Sequence, residues 1–130
     1  MYSLRFISAL LAIPASVLAG DYSKTCGQYS TDPNDNTVLA NCGDGHGGYR
    51  DSRMDMNLCL GNSGGTLVAQ NNGGYHDTCY ACGPLFDGPT TTFSCICGDG
   101  KGGWPVTSID LNSVLGNIDG YLWCFDHRGT

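Results

Sequence analysis

The chain has 130 residues, 20 of them glycine and eight cysteine, and twelve acidic against six basic side chains give a net charge of −6. Every acid is aspartate and the basic residues form no cluster, which excludes nucleic acid or an anionic membrane as the main partner. Aspartate and glycine favour turns where glutamate favours helix, so the chain reads as loop-rich and helix-poor.

Arg5 precedes an apolar run from Phe6 to Leu18, and Val17-Leu18-Ala19 ends it with small residues at the right places. This is the pattern of a secretory signal peptide over residues 1–19, cleaved after Ala19. A secreted, extracellular mature chain of residues 20–130 then has room for one compact domain. The apolar run is too short to span a bilayer and no later segment is apolar enough, so no membrane insertion is expected.

The mature part repeats itself about 55 residues apart. The first repeat, about 21–70, opens with Tyr22-Ser23-Lys24-Thr25-Cys26 and a variable loop from Thr31 to Asn36. A strand from Thr37 to Cys42 leads into the turn C-G-D-G-H-G-G-Y, and a second strand with alternate apolar residues runs from Tyr49 to Met56. Such a pair reads as a hairpin. Next come one helical turn at Asn57-Leu58-Cys59-Leu60, expected to be capped by asparagine, the turn G-N-S-G-G from Gly61, and a strand from Thr66 to Ala69. The linker Gln70 to Gly74 reads as short and flexible, so the halves could pack together or exchange strands.

The second repeat, about 74–126, runs through the same series. Tyr75-His76-Asp77-Thr78-Cys79 opens it, followed by a loop from Gly83 to Pro89 and a strand from Thr92 to Cys97. The turn C-G-D-G-K-G-G-W, a strand from Trp104 to Leu111 and a helical turn at Asn112-Ser113-Val114-Leu115 come next. The turn G-N-I-D-G from Gly116 and a strand from Tyr121 to Phe125 close the repeat. Neither half holds enough apolar residues for a core of its own, so one joint domain is expected.

Cys26, Cys42, Cys59, Cys79, Cys82, Cys95, Cys97 and Cys124 all lie in the mature part, and an even count in a small secreted chain reads as a disulfide framework. Zinc is disfavoured: Cys79-x-x-Cys82 has no second such pair, and Cys95-x-Cys97 has the wrong spacing. Calcium is disfavoured too, since Asp44 and Asp99 supply one carboxylate per loop. No metal or other cofactor is expected. Secreted ribonucleases share the acidic, disulfide-bonded, β-rich character, but they need a positioned carboxylate base with His and Arg around phosphate. Here His46, His76 and His127 fall at inequivalent places in the repeats and arginine is sparse, so no enzyme is expected.

The segment Ser108 to Gly120, S-I-D-L-N-S-V-L-G-N-I-D-G, closely resembles the cyanovirin-N homology family, whose repeats end in S-I-D-L-N-x-x-(I/L)-x-N-(I/V)-D-G-x-L. Gly47-Gly48-Tyr49 and the spacing of Cys26 and Cys42 are similar as well. The likeness covers essentially the whole mature chain, and the leader and extra cysteines resemble filamentous-fungal members. The resemblance implies an all-β, cyanovirin-N-like, elongated pseudo-two-fold domain. Its two intertwined repeats would each hold a three-stranded sheet plus a β-hairpin with short helical turns. It implies a metal-independent lectin for high-mannose glycans ending in mannose α1-2 mannose, with mannose-type oligosaccharides or glycoproteins as partners. Monomer and strand-swapped dimer both stay open. So does a secreted, disulfide-rich interaction or structural protein on the same scaffold without sugar binding.

Carried over position by position, the resemblance places a first carbohydrate-binding pocket at Asp21, Lys24, Thr25, Gly43, Asp44, Gly45, Asn117, Ile118 and Asp119. Asn, Asp, Thr and turn amides can supply the paired donors and acceptors that sugar hydroxyls need. A second pocket falls at Gly61, Asn62, Asp77, Thr78, Asp99 and Gly100. There the chain reads Asn62-Ser63-Gly64-Gly65 in place of N-(I/V)-D-G, so the carboxylate is missing and a weaker site is expected. A purely structural reading of Asn117 and Asp119, as an Asx-type turn, stays open. Asp110 and Asn112 read as caps of the helical turn. Trp104, Tyr49, Tyr121 and Trp123 are candidates to stack on sugar, although strand alternation favours the core for most of them.

The repeat equivalence, matching the family's two bridges, implies Cys26–Cys42 and Cys79–Cys97. Cys95 shares a strand face with Cys97 and Cys82 follows Cys79 closely, so Cys82–Cys95 is expected. Cys59–Cys124 is the remaining pair.

Overall fold

The computed structural model describes residues 20–27, 29–32, 36–84 and 91–130. The expected leader at 1–19, half of the first variable loop (33–35) and most of the second (85–89) lie outside the described residues. Eleven short strands, all paired antiparallel, and four 3-10 turns make up the described part.

In the first repeat, β1 (Ser30–Asp32), β2 (Thr37–Gly43) and β3 (Tyr49–Asp55) form a sheet in the order β1-β2-β3. A 3-10 turn over Met56–Leu58 leads to the hairpin β4 (Leu60–Ser63) and β5 (Thr66–Ala69). In the second, β6 (Cys79–Pro84), β7 (Thr92–Cys97) and β8 (Val106–Asp110) form the matching sheet. After the turn Leu111–Ser113 come β9 (Gly116–Ile118), β10 (Tyr121–Cys124) and β11 (His127–Arg128). The hairpins cross over: β5 packs on β7 and β8 of the other repeat, and β10 packs on β2 and β3.

Alternation decides what each strand buries. In β2 and β3, Val38, Ala40 and Cys42 face Ser52 and Met54 on the inner side, while Asn41, Asp51 and Arg53 face out. Leu60, Leu111, Val114, Leu115 and Leu122 join them in one apolar cluster spanning both repeats. Each such side chain stabilises the fold by about 1.5–3 kcal/mol relative to exposure. Buried Ser52 is the exception in this layer, and its Oγ accepts the Leu122 N–H at 2.9 Å, fastening β10 to β3.

The turn after β8 is capped by Asp110, as expected, but not by Asn112, and the turn after β3 is capped by Asp55 rather than by Asn57. Asp55 Oδ1 accepts from Asn57 N, and Asp110 Oδ1 accepts from Asn112 N, both at 2.9 Å. The carboxylate immediately before each turn takes the capping role because its short side chain reaches the second helical amide. The asparagines instead bridge repeats. Asn57 Oδ1 accepts from His76 N at 3.1 Å, and Asn112 Oδ1 accepts from Ser23 N at 3.0 Å. Each therefore supplies the missing side-chain cap of the other repeat's opening turn, Tyr75–Asp77 or Tyr22–Lys24.

The linker is held rather than loose: Gln70 N donates to Cys59 O and Asn72 N to Leu58 O, each at 2.9 Å. Gly73 passes so close to the Leu60 carbonyl that a Cβ would collide with it. The second strand of the second repeat begins at Val106, not Trp104, because Pro105 has no amide to continue the ladder. Four disulfides join Cys26 to Cys42, Cys59 to Cys124, Cys79 to Cys97 and Cys82 to Cys95. Cys82 and Cys95 occupy the places of Tyr29 and Ala40, so the second repeat has a bridge where the first has two buried side chains.

Tyr22, Tyr29 and Tyr75 are buried, and burial pushes all three phenols up, Tyr22 to about 12. Tyr29 Oη also donates to Thr92 O at 2.6 Å, tying the repeats together. A raised folded pKa means the stabilisation is full below the unfolded value of 10.0 and is lost as pH rises through the folded values. Unfolding free energy is therefore expected to stay level up to about pH 9 and to fall steeply above 10, where the unfolded phenols ionise. Absorbance at 295 nm against near-ultraviolet circular dichroism checks this: these three phenolates should appear only together with loss of tertiary signal. Reversible ionisation of every tyrosine near pH 10 with the fold intact would refute it.

Candidate functional site

At one end of the molecule, Asn117 organises three segments. Its Nδ2 donates to Thr25 Oγ1 at 2.9 Å and to Gly43 O at 3.0 Å, while its Oδ1 accepts from Gly120 N at 2.9 Å. Gly43 N donates to Thr25 O at 2.8 Å. Opening turn, Gly-Asp-Gly turn and β9–β10 turn are thus brought together. The β9–β10 turn has Ile118 opposite Tyr121, with Asp119 at φ 56 and Gly120 at φ 89 between them. Two positive φ values in a two-residue hairpin loop select Asp-Gly. A Cβ on Gly120 would lie 3.0 Å from Arg50 Cβ and 3.4 Å from Asp44 Cβ, so this turn rests directly on the Gly-Asp-Gly turn.

Two aspartates here have different duties. Asp44 Oδ1 accepts from His46 N at 2.7 Å and Gly48 N at 3.0 Å, and these backbone donors hold its carboxyl below the usual carboxylate range. Asp44 builds its own loop. Asp119 is exposed and its carboxylate has no hydrogen-bond or ionic partner among the described residues. Gly45, at φ 80, is exposed beside them. Asp21 and Lys24, on the opening turn, form an exposed pair with Lys24 Nζ 3.4 Å from Asp21 Oδ2; such pairs contribute little to stability. Arg50 and Arg128 each lie over the Tyr121 ring, at 4.3 and 4.4 Å, which places Tyr121 as a strut of the hairpin.

The opposite repeat reproduces this scaffold bond for bond. Asn62 Nδ2 donates to Thr78 Oγ1 and to Gly98 O, each at 2.9 Å, and Asn62 Oδ1 accepts from Gly65 N at 2.7 Å. Asp99 Oδ1 accepts from Lys101 N and Gly103 N at 2.7 and 2.9 Å. Gly64 at φ 58 and Gly65 at φ 96 stand where Asp119 and Gly120 do. The turn survives and the carboxylate is gone. Asp77, exposed on its 3-10 turn, takes the place of Lys24, and Gly100 lies exposed in the loop. Gly61 does not join them. It is buried in β4 opposite Val68, beneath the Gln70 side chain.

Sequence reasoning left Tyr80 out, and it placed Trp104 in a strand as one of four candidates to stack on sugar, with the core favoured for most of them. Both are exposed, with rings in a T-shaped contact at 5.7 Å. Matching the repeats through their paired cysteines puts Tyr80 at the position of Gly27 and Trp104 at that of Tyr49, and that substitution was the available signal.

Residues 22–123 match the CVNH domain. The fold is similar to that of a MoCVNH3 variant crystallised in complex with (N-GlcNAc)4, at a TM-score of 0.74 and 18% identity, covering 83% of this chain and 99% of that one. It is similar to GzCVNH of Gibberella zeae at a TM-score of 0.68 and 18% identity, covering 79% and 95%. Microvirin in its mannobiose complex is similar at 0.64 and 26%, covering 83% and 99%. No curated protein sequence gives a significant match. The match spans both repeats and both Asn-centred turns, and the chain belongs to the CVNH family.

Proposed function

We propose that this protein is a secreted, non-enzymatic lectin whose first site binds mannose α1-2 mannose ends of high-mannose glycans without metal. In this reading residues 1–19 are a leader and residues 20–130 act as one binding domain. The observation that carries the proposal is the free Asp119 carboxylate on a turn fixed by Asn117. Two neighbouring sugar hydroxyls can donate to its two oxygens, and such bonds are strong because the acceptor is charged. Thr25 Oγ1 already accepts from Asn117, so its own proton is left to donate to a sugar oxygen. Microvirin, whose structure is a mannobiose complex, supports the ligand class.

The second site keeps the frame but lacks the charged acceptor, and in this reading it binds mannose weakly. Asp119→Gly tests the proposal cleanly, because glycine tolerates the positive φ and copies Gly64. Calorimetric titration with mannobiose is expected to give micromolar to millimolar affinity for the unaltered protein. The variant should lose at least roughly tenfold, about 1.4 kcal/mol, with the melting temperature unmoved. Equal affinity in the variant removes Asp119 from the site. No binding of any mannoside by the fully oxidised protein favours an interaction protein on the same scaffold.

A further inference from the structure

The repeats diverge twice at their second site, and the two changes point the same way. Gly64 removes a carboxylate, and Tyr80 with Trp104 adds an exposed aromatic pair where the first site has Gly27 and Tyr49. The indole lies against the Gly-Asp-Gly turn, its Cε3, Cζ3 and Cη2 atoms 3.2–3.5 Å from where a Cβ on Gly98 would stand. Beside it is a cavity of about 210 Å³ lined by Thr78, Gly98, Gly100, Gly102, Gly103 and Trp104. Four of these six are glycines, so the walls are backbone and indole. The polar side chain is Thr78, whose hydroxyl accepts from Asn62 and keeps its proton to donate.

We infer that this cleft takes β-linked, gluco-configured saccharides by stacking a pyranose ring on Trp104, with Tyr80 bracing the indole through its T-shaped contact. A pyranose whose ring substituents are all equatorial presents axial C–H groups on both faces, a flat apolar surface that matches an aromatic plane. Mannose carries an axial 2-hydroxyl, which interrupts one face and asks for a polar acceptor instead. The first site offers that acceptor in Asp119. The second offers an aromatic wall and a single hydroxyl donor, so burial of C–H surface replaces the charged hydrogen bond as the main attraction. The inference rests on the lectin reading and assigns the second site a different sugar configuration.

The test is titration of the fully oxidised protein with cellobiose, N,N′-diacetylchitobiose and mannobiose, followed by amide and indole NMR shifts. Either gluco-configured disaccharide should shift the Trp104 indole and the amides of Gly98 to Gly103, cellobiose and chitobiose together separating plain from N-acetylated chains. Trp104→Ala should weaken that binding about tenfold and Trp104→Phe much less. Tyr80→Ala should weaken it too, while Asp119→Gly leaves it unchanged. Both aromatic side chains are exposed, so the variants should keep the native amide dispersion. If mannobiose shifts Asn117 to Gly120 while neither gluco-configured sugar touches the Trp104 loop, this inference falls and the lectin reading stands. Undiminished binding by Trp104→Ala also overturns it. If no sugar shifts any resonance, both readings fall.

Discussion

Replacing Cys59 and Cys124 together by alanine is expected to lower stability by about 4 kcal/mol and the melting temperature by roughly 20 °C. The two residues are 65 apart in sequence, so their bond removes far more freedom from the unfolded chain than Cys26–Cys42 or Cys82–Cys95, with separations of 16 and 13. It also links the turn after β3 to β10 of the other repeat. Urea unfolding checks both parts of the argument: the midpoint should drop, and the slope should rise because the unfolded chain exposes more surface. Removing Cys82–Cys95 in the same way should cost less. If that loss is the larger, chain constraint is not what the long bridge contributes.

Asn117→Ala is expected to cost about 3 kcal/mol and to abolish binding at the first site. Alanine leaves the buried Gly120 amide and the Gly43 carbonyl without their partners, and each unsatisfied buried group costs about 1–3 kcal/mol. The β9–β10 turn then loses its anchor to the opening turn, and Asp119 with it. Asn62→Ala removes the equivalent bonds and should destabilise by a similar amount. Mannobiose affinity should survive in that variant. The pair thus separates damage to the scaffold from damage to the site, by thermal melting on one hand and titration on the other. Mannobiose binding that persists in Asn117→Ala would show that the turn's position does not matter.

What the sequence made legible was governed by side-chain pattern. The hairpins at β2–β3 and β7–β8 follow from alternating apolar residues, and the Asp119-Gly120 turn from a dipeptide that tolerates positive φ. β1 and β6 escaped because edge strands need only backbone pairing. Ser30–Asp32 shows no apolar alternation, and β6 carries a register shift between Tyr80 and Gly83, with Ala81 at φ 55. Of the capping aspartates, Asp110 was legible, while Asp55 was hidden for another reason. Asp55 and Asp110 compete with the neighbouring asparagines for one role, and only three-dimensional placement shows Asn57 and Asn112 reaching the opposite repeat. In the same way Tyr80 and Trp104 look like strand residues in one dimension, and only the fold sets them side by side at the surface.

The crossed hairpins give the two ends of the molecule different histories during synthesis. The frame of the second site closes over sequence separations of 16 and 36, between Asn62 and Thr78 or Gly98. That of the first must span 92 and 74, from Asn117 back to Thr25 and Gly43. Loop closure of that length is slow, and it needs the chain as far as the β9–β10 turn. One end can take shape on chain that reaches Gly98, whereas the other has to wait for Asn117.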